Sequence, residues 1–284
     1  MPYTAKSATV ALVRRLRAFK LARPRRRVAK PLQPNTVRLE YFKAIRSRFL
    51  DPARDAVMAG LLPELDAILA ERGDADNMDA GGKRVNASMD KITKGFWDAT
   101  FHPREAEALA ELAADRTSKF HKRQFDRQVR SGLGVDVFVR EPDLSKIAED
   151  FVAENVALIK TIPNQYFDDI EKIVTAGVRQ GKRHEEIARD IQARYDVAEN
   201  RAKLIARDQV GKFYGDLAKA RQEDMGVTKY IWRTVNDNRV RSEHHARDGK
   251  TFSWARPPAD GHPGHPINCR CYAEPDFSDI LDEV

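Results

Sequence analysis

Apolar residues at helical spacing are the feature of this sequence that most restricts its fold. The clearest examples are two runs at steps of four residues: Tyr166, Ile170, Val174 and Val178, then Ile187, Ile191 and Tyr195. Such a stripe covers about one-third of a helix surface, so the helix can pack on its neighbours while its other faces stay in water. The charged fraction of 33% and the mean hydropathy of −0.60 agree with long solvated helix faces. The sequence therefore predicts a mainly α fold.

The composition changes near Gly226. The stretches "TKYIWRTV" and "KTFSW" are short, aromatic and β-branched, which predicts strands. We therefore predict an elongated helical region followed by a small C-terminal α+β or β-rich module that contains a His/Cys knuckle. The predicted segments are a basic N-terminal arm (1–35), a variable helical region (36–132), a second helical region (133–227), the C-terminal module (228–275) and an acidic tail (276–284) in which little order is expected.

Positive charge is concentrated at the start of the chain. Residues 1–39 hold eleven Lys and Arg and no acidic residue, so that within a net charge of +7 the remainder carries −4. Such an arm gains affinity for a polyanion by releasing counterions. Contact with nucleic acid or with an acidic protein surface, a transit peptide and a solubilising tail all remain open. The candidate contact residues are Arg14, Arg15, Arg17, Arg25, Arg26 and Arg27.

Membrane and export signals are not found in the sequence. No apolar run approaches the roughly 18–20 residues that cross a bilayer, and the start has no apolar signal core. The two cysteines, Cys269 and Cys271, stand too close in sequence to form a relaxed disulfide with each other. A reducing compartment is therefore expected, with metal binding or free thiols as the options for the cysteines.

Histidine and cysteine are concentrated in the C-terminal module. Four of the seven histidines and both cysteines lie between His244 and Cys271. Thiolates and imidazoles are the donors that zinc prefers, and a tetrahedral site needs four of them. The candidate ligands of a structural Zn²⁺ are His244, His265, Cys269 and Cys271. A local turn at Asn268–Arg270 is expected to bring these donors together.

Other interpretations of the same residues remain open. The cysteines could pack as small apolar residues in a tight turn, or one of them could be a nucleophile beside His244 or His265. A metal-dependent nuclease is a further alternative, on a loose set that comprises Asp237, His244, His245 and Asn268. Such nucleases present metal from a helix after a hairpin, whereas this chain continues with "ARPPADGHPGHP", which cannot be helical. We therefore predict no enzymatic activity.

The module also carries a recognisable pattern. The stretch "WRTVNDNRVRSEHHARDGKTFSWARPPADGHPGHPINCRC" resembles the C-terminal module of phage minor head proteins related to the F protein of phage Mu, and the resemblance extends over about residues 133–275. Two positions, Arg247 and Ile267, depart from the family pattern. The matching motif residues include Trp232, Asp237, Arg239, Arg241, His244, Asp248, Gly249, His265, Cys269, Arg270 and Cys271.

This resemblance implies a phage minor head protein that acts in head morphogenesis. It implies a place in the virion, inside the capsid near the portal vertex, after assembly in the host cytoplasm. The expected partners are the portal protein oligomer, phage DNA, and capsid or scaffolding protein, with no membrane contact in the virion. A metal-dependent nuclease acting on phage DNA and a zinc-knuckle nucleic-acid-binding adaptor are the alternatives.

The arginines of the motif allow two roles. Arg239, Arg241 and Arg270 could contact phosphate or a carboxylate of a partner. They could equally pair with Asp237 and Asp248 to hold the loops of the module together, which is the role that we favour.

Overall fold

The computed structural model describes residues 10–11, 14, 27–70, 78–134 and 141–281. It confirms a mainly α chain with a small β-containing C-terminal module. A π turn, Arg46–Leu50, joins the first two helices. The helices before the module are α1 (Asn35–Ile45), α2 (Asp51–Gly60), α3 (Leu62–Ala70), α4 (Met78–Ala99), α5 (Pro103–Leu133), α6 (Ser145–Arg179) and α7 (His184–Asp224).

The contacts divide the chain into two compact units. The helical unit comprises Leu39–Ala110 and Val152–Ala206. The module-bearing unit comprises Met1–Arg38, Glu111–Phe151 and Arg207–Val284. The segment boundaries predicted from the sequence remain predictions.

The helical unit buries the apolar stripes that the sequence predicts. Tyr166, Ile170, Val174 and Val178 of α6 are fully buried, and Ile187, Ile191 and Tyr195 of α7 are buried as well. Each buried side chain of this size contributes roughly 1.5–3 kcal/mol relative to an exposed one. The stripes are therefore core positions of this unit.

In the module-bearing unit, α5 and the residues that follow α7 pack on the last described helix, α9 (Ser278–Leu281). Phe277 and Ile280 are buried against α5. The expectation of little order in the acidic tail is therefore wrong for these residues. Apolar residues three positions apart form one face of a helical turn, and this face can dock although the neighbouring residues are acidic. The cluster comprises Val10, Phe125, Val129, Leu133, Met225, Val227, Phe277 and Ile280.

A buried arginine joins α5 to α7. The Arg221 side chain is only 1% exposed. It donates hydrogen bonds to the Ser118 hydroxyl at 2.9 Å, to His121 Nδ1 at 2.7 Å and to the Glu141 carboxylate. Burial and the neighbouring Arg221 charge hold the pKa of His121 well below its usual range. The neutral ring is therefore the form that the fold requires.

The module is a three-stranded antiparallel sheet with one short helix. Its elements are β1 (Lys229–Arg233), α8 (Ser242–Arg247), β2 (Thr251–Ser253) and β3 (Tyr272–Pro275). The strand order is β2-β1-β3, with β1 in the centre. Tyr230 and Trp232 point to the buried face of β1, as side chains two positions apart must in a strand. The sheet thereby places the segment before β3 beside the loop that follows β1.

Candidate functional site

One histidine of the short helix α8 faces the interior of the module. His244 is 2% exposed, whereas His245 lies on the outer face. His244 Nε2 lies 2.9 Å from Asp260 Oδ2, and Arg247 Nη1 lies 2.5 Å from Asp260 Oδ1. An ionised carboxylate only accepts hydrogen bonds, so His244 donates through Nε2. In the neutral ring, Nδ1 then carries the free lone pair.

Both cysteines face this lone pair. Cys269 Sγ lies 3.7 Å and Cys271 Sγ 3.4 Å from His244 Nδ1. All three donor atoms lie within 4.8 Å of one another, and all three residues are buried. Three of the four candidate ligands from the sequence therefore meet.

The turn that brings the cysteines into place differs from the expected one. The left-handed residue is Asn268, with φ 61°, and Cys269–Cys271 is neither turn nor bend. In an extended segment residues i and i+2 point to the same side, so the two thiols face His244 without a turn between them. Only the approach to Cys269 needs the turn.

His265 does not join the set, although we expected it as a fourth donor. Its Nε2 lies 2.9 Å from Asp216 Oδ1 on α7. The backbone turns at Gly264, where φ is 99°, and this turn carries His265 towards α7. Closeness in sequence to Cys269 therefore did not predict closeness in space.

The loop around Gly264 lies directly on α7. A Cβ on Gly264 would lie 2.8 Å from the Gly211 carbonyl oxygen, and a Cβ on Gly215 would lie 2.8 Å from the Pro263 carbonyl oxygen. The positive φ of Gly264 is also strained for any residue with a side chain. These close approaches require glycine and fix the loop that leads to the cysteines.

The electrostatics of the site favour a charged cysteine and an ionised Asp260. The hydrogen bond from the Cys271 thiol lowers the pKa of Cys269 to about 6. Burial opposes ionisation of Asp260, but hydrogen bonds from His244 and Arg247 hold its pKa below the usual value. The Cys269 thiolate is therefore paired with the Cys271 thiol, and the Asp260 carboxylate with its donors His244 and Arg247.

Ion pairs hold the loops around the site. Arg270 binds both carboxylate oxygens of Asp237, with Nη2 to Oδ1 at 2.5 Å, while Arg239 is 78% exposed and lies 3.9 Å from the same carboxylate. The Arg270 hydrogen bond lowers the pKa of Asp237. Arg241 donates to the Ile267 carbonyl oxygen at 2.7 Å and not to a carboxylate.

Three further motif residues have structural contacts. Asp248 Oδ1 accepts a hydrogen bond from the Thr234 backbone N–H at 2.7 Å. Gly249, with φ 78°, donates its N–H to the Trp232 carbonyl oxygen at 2.8 Å. The fully buried Trp232 ring stands edge-on to His244, with centroids 5.2 Å apart. These contacts hold the loop that carries α8.

The residues of the nuclease alternative do not form one ligand set. Asp237 pairs with Arg270, His245 is exposed, and the Asn268 N–H donates to Asp208 Oδ1 at 2.8 Å. Among the described residues, the group of metal-binding side chains that includes His244 contains only the two cysteines besides it.

Several residues with contacts in the site were not predicted from the sequence. Asp260 orients His244, and Glu274 binds Arg233 across β1 and β3 at 2.9 Å and 3.1 Å. Gln222 of α7 accepts from Trp254 Nε1 at 3.0 Å and donates to the Ala273 carbonyl oxygen at 3.2 Å. The turn sequence "ADG" could have drawn attention to Asp260, whereas nothing in the sequence distinguishes Gln222 from other glutamines within helices.

Two of the six candidate arm residues lie among the described residues. Arg14 and Arg27 are exposed. Arg15, Arg17, Arg25 and Arg26 lie outside the described residues.

Comparisons with known proteins agree with the pattern in the module. The family described as "Phage Mu protein F like protein" matches residues 168–274. An uncharacterized protein of Haemophilus influenzae is 34% identical over 175 residues, which are 60% of this chain and 39% of that protein. No solved structure matches the chain.

These matches show which class of protein the C-terminal half of the chain resembles. Residues 168–274, which contain the end of α6, all of α7 and most of the sheet, are similar to phage Mu F-like proteins, a family that suggests a role in phage head morphogenesis. The match covers less than half of the chain, and over these residues it confirms the resemblance to phage Mu F-like proteins that the motif residues indicate. Within the described residues, none of the helices is long and apolar enough to span a bilayer.

Proposed function

We propose that this protein is a minor head protein that binds the portal oligomer inside the capsid and contacts the packaged DNA through its basic arm. The observation that carries the proposal is the match of residues 168–274 to the phage Mu F-like family. Capsid or scaffolding protein is a further partner during assembly in the host cytoplasm.

The charge distribution supports the DNA contact. Eleven cationic residues precede the first acidic one, and the rest of the chain is slightly acidic. Among the described residues of this arm, Arg27 and Lys30 are exposed. Each phosphate neutralised by such a residue releases counterions, so the affinity for DNA depends on salt.

A charge-neutralised variant tests the DNA contact better than a truncation does, because Val10 contributes to the core of the module-bearing unit. Replacing Arg15, Arg17, Arg25, Arg26 and Arg27 by Gln leaves that core residue in place. We expect weaker binding to double-stranded DNA, with a slope of log K against log salt that is smaller by up to about 4–5.

A matched control removes the same charge elsewhere. It replaces five exposed lysines outside the arm, namely Lys91, Lys94, Lys119, Lys146 and Lys172, by Gln. Equal loss of DNA binding in both variants would show a net-charge effect and contradict a role of the arm. Co-sedimentation of the full chain with portal oligomers tests the other contact, and failure to bind at low salt would refute it.

A further inference from the structure

We propose that His244, Cys269 and Cys271 bind one Zn²⁺ ion, through Nδ1 of the histidine and the two thiolates, and that Asp260 positions the histidine. The proposal stands on the geometry of the C-terminal module and is independent of the function proposed above.

The distances fit this ion. With Zn–S near 2.3 Å and Zn–N near 2.0–2.1 Å, tetrahedral coordination places S and N about 3.5–3.6 Å apart. The observed Nδ1···Sγ distances are 3.4 Å and 3.7 Å. The three donors are thus already spaced as ligands of one zinc ion.

The surroundings also fit. A zinc-ligating histidine commonly donates its second ring N–H to a carboxylate, which fixes the orientation of the ring. Asp260 has this position at 2.9 Å, and Arg247 holds Asp260 in turn. Thiolate and imidazole are soft donors, which favour Zn²⁺ over Mg²⁺ or Ca²⁺.

The fourth ligand is a water molecule. Among the described residues, the chain supplies no fourth His, Cys, Asp or Glu donor to this group. Both cysteines line a cavity of about 10 Å³ beside Gly215 and Tyr214. That is room for about one water molecule, and we assign the ion a structural role as a cross-link.

The cross-link joins parts of the module that lie far apart in the sequence. His244 lies between β1 and β2, and the two cysteines lead into β3. A module of this size has a small core, and a metal between such segments stabilises it. Metal binding and folding of the module are therefore linked.

The experiment measures metal in the full-length protein, purified under reducing conditions, loaded with Zn²⁺ and freed of excess ion. We expect about one zinc per chain in the wild type and in the control His265→Ala. The variants Cys269→Ser and Cys271→Ser should lose it. Wild type without zinc after loading, or His265→Ala without zinc, would overturn the ligand set.

Cobalt gives a second measurement that reports the ligands themselves. Co²⁺ bound by two thiolates absorbs in the near ultraviolet by sulfur-to-metal charge transfer, and each Cys→Ser variant should lose about half of that absorbance or all of it. An undiminished absorbance in Cys271→Ser would refute the proposal.

A third variant covers the case in which the cysteine variants do not fold. Asp260→Asn keeps all three ligands but weakens the carboxylate behind His244. We expect metal affinity, measured against a competing chelator, to fall about 10–100-fold. Affinity equal to that of the wild type would contradict the assigned role of Asp260 and, with unfolded cysteine variants, the site itself.

Discussion

Alanine at Gly215 tests the close approach between α7 and the loop before the cysteines. The added Cβ would lie 2.8 Å from the Pro263 carbonyl oxygen, whereas a carbon and a carbonyl oxygen rarely approach closer than about 3.3 Å. The loop must therefore move by about 0.5 Å. It is a backbone segment, so no side-chain rotation can relieve the contact.

The matched variant is Gly211→Ala, one turn earlier in the same helix. Its Cβ would lie 3.4 Å from Arg38 Nη2 and 3.8 Å from the Gly264 carbonyl oxygen, both ordinary contacts. Each variant gains about 0.8–1.0 kcal/mol from replacing Gly within a helix. That gain cancels in the comparison, which leaves the cost of overpacking at Gly215, about 1–3 kcal/mol.

The free energy of unfolding in urea measures this difference. Trp232 and Trp254 lie in the module, so a Trp97→Phe background restricts the fluorescence signal to the module-bearing unit. We expect Gly215→Ala to be about 2 kcal/mol less stable than Gly211→Ala. Equal stability within about 0.5 kcal/mol would refute the close approach and with it the position of the loop.

Two further predictions concern buried polar groups of the same unit. Gln222→Leu leaves the Trp254 N–H and the Ala273 carbonyl without this partner, so it should lower the free energy of unfolding in urea by about 2–4 kcal/mol. The control Gln192→Leu replaces an exposed glutamine and should change the free energy of unfolding little. Equal effects of the two variants would contradict the contacts of Gln222. Burial lowers the pKa of His121, so the ring stays neutral in the folded state, whereas the unfolded state protonates it near pH 6.5. The stability that the neutral ring contributes is therefore present above that pH. It is lost as the pH falls below it, by up to about 1.4 kcal/mol per pH unit. The same urea midpoints at pH 7.5 and 5 should show a smaller loss in His121→Asn, and an unchanged loss would refute the assignment.

The long elements of the fold were predictable because their patterns are long. The stripe from Tyr166 to Val178 repeats over several turns, and tertiary contacts bury it as expected. The six residues of α8 are too few to show a period, and β3 is buried at all four positions and therefore shows no alternation. Both elements depend on contacts with distant parts of the chain.

A glycine pair in the helical unit also shows that local composition does not predict an element that depends on distant contacts. The stretch "DADNMDAGG" has the composition of a loop, yet Met78–Gly82 begins α4. A Cβ on Gly81 would lie 3.0 Å from Val178 Cγ1. Close packing on α6 therefore explains a glycine that the composition assigned to a turn.

The donors of the site were partly predictable from residue type. Cys269, Cys271 and His244 were candidate ligands because thiolates and imidazoles are the donors that zinc prefers. His265 lies apart from these three residues, and this separation depends on the backbone turn at Gly264, which the sequence did not reveal. Asp260 has a common residue type, and only its position behind His244 reveals what it does.

The order of the strands has a consequence for how the module assembles. The central strand finds one neighbour nearby in sequence, but its pairing of Trp232 with Ala273 spans 41 residues. Such high contact order slows folding, because the intervening chain loses entropy before the pairing forms. Until β3 pairs with it, β1 presents an open edge that a second chain could occupy. A metal that draws the cysteine segment towards α8 would bring β3 close to β1 earlier and so limit pairing with another chain.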